Sequence, residues 1–151
     1  MPINKNTFCV APWYSLHLHS DKTLSPCCQI KKTKKYDYNQ LDKYFNSPEL
    51  NKLRDDLLNG IKNKDCVACW RNEEQGGDSL RLISNRTIAL GTKIRLLDQI
   101  ENPEVSNIKS FDLTLGNLCN LKCVMCTPIL SSQLLAEANI NPALKARHDR
   151  E

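Results

Sequence analysis

Eight cysteines in 151 residues fall into two sets. The compact one is Cys119, Cys123 and Cys126, a C-x3-C-x2-C pattern within "LGNLCNLKCVMCTP". Three thiolates at this spacing can wrap three iron corners of a [4Fe–4S] cubane and leave the fourth iron without a protein ligand. Soft thiolates select iron–sulfur clusters or zinc over hard cations. A structural zinc wants four protein ligands, and no fourth cysteine or histidine lies nearby in sequence. An open coordination position marks a catalytic site. The other set is Cys9, Cys27, Cys28, Cys66 and Cys69, of which "CVACW" supplies a C-x2-C pair.

The composition sets the background. Hydrophobic residues make up 40% and charged residues 25%, and the length suits one domain with a real core. No apolar run reaches a membrane span, and "MPINKNTFCVAPW" lacks the apolar middle of a signal peptide. A cytoplasmic protein with reduced thiols is expected, so the cysteines imply metal chemistry rather than disulfides. The net charge of +4 is too mild to argue for nucleic acid, and "KKTKK" at 31–35 reads as a solvated loop.

Period-2 alternation makes "WYSLHLHSDKTLSPCC" a hairpin. Tyr14, Leu16 and Leu18 alternate with Trp13, Ser15, His17 and His19, "SDK" turns, and Pro26 ends the strand. His17 and His19 share the polar face and are a further option as metal ligands. "NSPELNKLRDDLLNGIKN" is a helix capped by Ser47, with Pro48 in its first turn, an apolar stripe of Leu50, Leu53, Leu57 and Ile61, and an end at Gly60. "DCVACWRNEEQGG" is a capped turn or short helix stopping at Gly76-Gly77. "DSLRLISNRTIAL" is a helix with Leu80, Ile83 and Leu90 inward. After a boundary at Asn102-Pro103, "SFDLTL" is a strand, the cysteine loop follows, and "SSQLLAEAN" is a helix with Leu134 and Leu135 on its inner side. "NPALKARHDRE" begins another helix with Asn141 as cap and Pro142 at its first position. The fold class is therefore α+β.

"CNLKCVMC" after the strand "FDLTL" resembles the signature of the radical S-adenosylmethionine (SAM) superfamily. The resemblance implies that Cys119, Cys123 and Cys126 bind a [4Fe–4S] cluster whose open iron is chelated by the amino and carboxylate groups of SAM. One electron from that cluster would then cleave SAM to a 5′-deoxyadenosyl radical. The loop would follow the first strand of a partial α/β barrel, on the face where barrel active sites sit. The residue before the third cysteine, often aromatic in the family, is Met125 here, a soft side chain able to fill the space near the adenine.

Residues 9 to 81 resemble the twitch (SPASM-like) extension of such enzymes, which opens with C-x9–15-G-x4-C. "APW", "PCC" and "LR…LLNG…C-x2-C" are family-like, and Lys22 stands where the family has glycine. The implied ligands of one auxiliary [4Fe–4S] cluster are Cys9, Cys27, Cys66 and Cys69. Cys28 stays an alternative to Cys27, since neighbours on a strand point to opposite faces and only one easily faces the cluster. Spacing alone also accommodates a four-cysteine zinc site. The implied organisation is a twitch-like domain with a helical linker over 1–102, then 103–151 as the first strand, loop and helix of a truncated radical SAM barrel, so the chain reads as the N-terminal part of a longer enzyme. The implied partners are a peptide or protein substrate and a flavodoxin- or ferredoxin-type electron donor. The competing reading is a stand-alone zinc or iron–sulfur interaction module with "KKTKK" touching nucleic acid.

Overall fold

The computed structural model describes residues 3–30, 36–92, 96–119, 121, 123, 126, 128 and 131–140. "KKTKK", Met125 and the helix expected from Asn141 lie outside the described residues. The chain divides into two compact units, Met1–Thr114 and Leu115–Glu151.

In the first unit, Pro12 decides the local structure. Its fixed φ suits a helical turn and its missing N–H is not needed there, so α1 forms over Ala11–Tyr14. Trp13 and Tyr14, expected in the hairpin, belong to this helix and are buried. The hairpin is shorter: β1 spans Ser15–Leu18, β2 spans Leu24–Ser25, and they pair antiparallel with His17 opposite Ser25. In the turn, His19 N–H donates to the Thr23 carbonyl (2.9 Å) and Lys22 N–H to the His19 carbonyl (2.9 Å). The Asp21 carboxylate accepts from the Thr23 hydroxyl (2.6 Å). Lys22 sits at φ +66°, the left-handed region that glycine adopts without strain.

Helices follow. α2 spans Leu41–Phe45 and α3 spans Pro48–Leu58. The Ser47 side chain accepts from Leu50 N–H and caps α3, which buries Leu50, Leu53 and Leu57. Gly60 at φ +82° reverses the chain, and Ile61 N–H closes the end on the Asp56 carbonyl at 2.8 Å. Ile61, expected on the apolar stripe, thus lies past the helix and is 53% exposed. A β-carbon at Gly60 would lie 2.5 Å from Asn4 Nδ2. α4 spans Val67–Glu74 and α5 spans Leu80–Thr92. Of the residues expected inward on α5, Leu80 is half-buried, Ile83 is exposed and the burial of Leu90 lies outside what is described; Arg81, Asn85 and Ile88 turn toward the N-terminal segment. α6 spans Leu96–Glu101.

β3, Ser110–Leu113, then pairs parallel with β1, giving a three-stranded mixed sheet in the order β2-β1-β3. The unit is a small α+β fold. A parallel neighbour requires a long crossover, and the helices between β1 and β3 supply it. The expected boundary at Asn102-Pro103 therefore falls inside the first unit, because the strand after it is bonded to β1. Phe111 and Leu113 are exposed at 59% and 54%.

One hydrophobic cluster gathers Leu16, Leu24, Phe45, Leu53, Leu57 and Trp70; another gathers Phe8, Val10, Trp13 and Tyr14. Arg54 is buried beneath α1, its Nε and Nη2 donating to the Pro12 carbonyl (3.1 and 2.8 Å) and its Nη1 to the Phe45 carbonyl (2.8 Å). In the second unit, α7 spans Ser132–Ile140, with Ala138 buried and Leu134 and Leu135 half-buried. Among the described residues no helix is long and apolar enough to cross a membrane.

A left-handed lysine costs about 1–2 kcal/mol that glycine largely avoids, offset in part by glycine's greater freedom when unfolded. Lys22→Gly is expected to raise stability by about 0.5–1 kcal/mol and Lys22→Val to lower it, read by thermal denaturation. Equal melting temperatures for the three chains would refute the strain.

Candidate metal centre

Cys9, Cys27 and the Cys66–Cys69 pair come from three stretches of chain and line one cavity, walled by Leu53, Leu57 and Arg81. Each has its own support. The Phe8 carbonyl before Cys9 accepts from Arg81 Nη1 (2.8 Å) and Asn85 Nδ2 (2.8 Å), and Val10 N–H after it donates to Asn85 Oδ1 (2.8 Å). Helix α5 thus grips both peptide groups that flank Cys9. The Cys27 carbonyl accepts from the Ser25 hydroxyl at the end of β2 (2.8 Å). Cys66 closes a 3-10 turn and Cys69 lies in the first turn of α4. Asn63 caps that turn by accepting from Asp65 N–H (2.9 Å), and its carbonyl accepts from Trp70 Nε1 (2.9 Å).

Burial dominates the electrostatics. It holds the Cys9 thiol far above its ordinary range, with Ala11 N–H opposing and the three other thiols adding to the rise. Burial likewise pushes Cys27 up to about 11, against hydrogen bonds from the Gln29 and Ile30 backbone, and Cys66 up to about 12, with Cys27 and Cys69 next in weight. Arg81 is the positive charge that acts the other way on Cys66. The Tyr44 hydroxyl is buried without a hydrogen-bond partner. Burial raises its pKa, and Cys27 is the next cause. The thiolate of Cys27 would place an acceptor charge near this orphaned donor. Tetrahedral zinc brings its sulfurs to about 3.8 Å of one another. Among the described residues, the one group of three metal-ligating side chains with donor atoms all within 4.8 Å contains a single cysteine, so no three of the four sulfurs lie all within 4.8 Å of one another.

That closer group is His17, Cys28 and Asp112. Parallel register sets His17 of β1 beside Asp112 of β3, and His17 Nδ1 lies 2.8 Å from Asp112 Oδ2. Thr114 Oγ1 lies 3.3 Å from His17 Nε2. Burial and then the hydrogen-bonded Asp112 carboxylate hold the Cys28 thiol above its ordinary range. Cys28 is absent from the lining of the four-thiol cavity. His19 turns to Ser25, with Nε2 2.9 Å from its hydroxyl.

In the second unit, the Cys119 sulfur accepts from Leu121 N–H (3.4 Å), and Cys119 N–H is 3.5 Å from the Ser132 hydroxyl at the start of α7. Cys126 N–H donates to the Cys123 carbonyl (2.9 Å). Cys123 is exposed and the other two are half-buried. Their three sulfurs are not drawn within 4.8 Å of one another.

Compared with protein-family models, curated proteins and solved structures, the chain matches none.

Arg81, Asn85, Tyr44 and Asp112 were not among the candidate residues of the sequence. Asp112 alone left a trace, as the polar member of an alternating strand.

Two outcomes follow from the buried thiols. The folded state binds the Cys27 and Cys66 protons more tightly than the unfolded chain, so their contribution is complete below pH 9 and lost as pH climbs through about 11 and 12. Denaturant titrations of metal-free protein are expected to show this alkaline loss, and Cys27→Ser or Cys66→Ser to flatten it; unchanged slopes would contradict the burial. Tyr44→Phe removes an unpaired buried hydroxyl, so metal-free protein is expected to gain about 1 kcal/mol. That gain is expected to vanish once the site is loaded and Cys27 is a thiolate; a gain that persists in the loaded protein would show that the hydroxyl takes no part there.

Proposed function

We propose that this chain is the cluster-bearing part of a radical SAM enzyme, with an auxiliary [4Fe–4S] cluster on Cys9, Cys27, Cys66 and Cys69 and a SAM-binding cluster on Cys119, Cys123 and Cys126. The observation that carries the reading is the gathering of four thiols from three stretches of chain around one cavity. A four-iron cubane holds its thiolates at the corners of a larger tetrahedron than zinc does, and iron–sulfur centres take amide hydrogen bonds on sulfur. Backbone groups already engage these thiols: Ala11 at Cys9, Gln29 and Ile30 at Cys27, Leu121 at Cys119.

The two sets would do different work. Four ligands close a cluster, so the first would hold the N-terminal segment, the end of β2 and α4 together, metal binding being folding energy as well. Three ligands leave one iron for the amino and carboxylate groups of SAM, and the exposure of Cys123 suits a loop that meets a ligand. When bound, the cluster supplies the electron that cleaves the sulfonium of SAM to a 5′-deoxyadenosyl radical. Met125 is the residue the resemblance sets near the adenine. A peptide or protein is the proposed substrate class, and a flavodoxin- or ferredoxin-type protein the proposed donor.

Anaerobic reconstitution is expected to load the chain with iron and sulfide at about four of each per cluster. Cys69→Ser is expected to halve both and to destabilise the first unit. Cys123→Ala is expected to halve both, to leave that unit's melting temperature unchanged, and to abolish the change that SAM causes in the electron paramagnetic resonance spectrum of the reduced protein. Stoichiometric zinc without sulfide would overturn the cluster reading. A SAM-induced change that survives Cys123→Ala would overturn the assignment of the SAM site.

A further inference from the structure

We propose that His17, Cys28 and Asp112 form a third metal site, for a zinc-class divalent cation, distinct from the four-thiol cavity and from the three-cysteine loop. The three residues come from β1, the stretch after β2 and β3, and the sheet brings them together. One donor atom of each, the imidazole nitrogen, the thiol sulfur and a carboxylate oxygen, lies within 4.8 Å of the other two.

The donor chemistry selects the ion. Calcium and magnesium demand oxygen ligands, whereas a mixed nitrogen, sulfur and oxygen set suits zinc and its borderline neighbours. The dimensions agree. Zinc bonds of about 2.0–2.3 Å set tetrahedral donors about 3.3–3.8 Å apart. The His17 Nδ1–Asp112 Oδ2 pair, at 2.8 Å, has to open by only about half an ångström to admit the ion. Asp112 can make that movement, because its side chain is 52% exposed, while His17 at 7% is held by the fold.

The outer contact is also in place. A ligating histidine usually donates its second ring N–H to a nearby acceptor, which fixes its tautomer and orientation. With Nδ1 on the metal, the proton resides on Nε2, 3.3 Å from Thr114 Oγ1. Thr114 is itself anchored, its N–H donating to the Leu18 carbonyl at 2.8 Å. Three protein ligands leave a fourth position, and the exposure of Cys28 and Asp112 opens it to water. Such a site is of the exchangeable or catalytic kind, not the closed structural kind. The inference stands on this geometry alone and does not need the iron–sulfur reading.

The test is a zinc count on the full chain, stripped with chelator and reloaded without oxygen. The other seven thiols also take zinc, so the readout is a difference. His17→Gln, Cys28→Ser and Asp112→Asn are each expected to lose one zinc per chain relative to the parent. Thr114→Val is expected to keep the count but to weaken that one zinc about 10- to 100-fold against a competing chelator. Should His17→Gln disturb the fold by circular dichroism, Asp112→Asn, at the half-exposed position, reads the same loss. Three variants that retain the parent's zinc would show a hydrogen-bonded Asp112–His17 pair and no metal site, overturning the proposal. A loss confined to Cys28→Ser would assign Cys28 to the cysteine-ligated centre and overturn it equally.

Discussion

The guanidinium of Arg81 is the contact on which the first unit's architecture turns. It is 4% exposed, donates to the Phe8 carbonyl, pairs with Glu73 through Nε (2.9 Å) and Nη2, and stacks over Trp70 at 5.0 Å. A buried charge persists only when its donors are satisfied, and here the partners come from two different segments. Phe8 precedes Cys9, Glu73 and Trp70 lie on the helix that carries Cys69, and Arg81 itself opens α5. One side chain therefore sets the distance between cysteines sixty residues apart in sequence.

The same residue moderates an otherwise hostile environment for thiolates. The cavity wall is mostly apolar, and burial pushes Cys9, Cys27 and Cys66 to their protonated forms. Arg81 supplies positive charge at the rim, and backbone N–H groups supply partial charge at Cys9 and Cys27. These compensate only in part, so the pocket favours neutral thiols when empty and gains most from a ligand that replaces their protons with metal charge. The Tyr44 hydroxyl, buried without a hydrogen-bond partner, feels the same cysteine: Cys27 adds to burial in raising its pKa.

What could be read from the sequence is what depends on near neighbours. The ends of α3 follow from Ser47, Pro48 and Gly60, each acting within a turn of its own position. Lys22 stood out as a departure from the family's glycine, which pointed to a different turn type, yet it keeps the left-handed backbone at φ +66°. Failures occur where a distant partner decides. The inward face of α5 carries Arg81 and Asn85, polar residues that no hydrophobic period would select, because their partners are the main-chain groups around Cys9. Trp13 and Tyr14 are a local miss: they alternate as a strand should, yet Pro12 beside them winds the turn. The boundary after Asn102 was drawn from a turn signal, and the pairing of β3 with β1 lies beyond any local pattern.

That pairing makes the sheet a ruler. His17 meets Asp112 only in the observed register, since a one-residue slip of β3 would swing the carboxylate to the opposite face and turn Phe111 or Leu113 toward the imidazole. The crossover between the strands can lengthen or shorten at little cost, as loop closure depends weakly on length. The two four-residue strands cannot. Inserting or deleting one residue in either would erase the sheet pairing and the His17–Cys28–Asp112 grouping in the same event, so in any descendant of this sequence the two features are inherited or lost together.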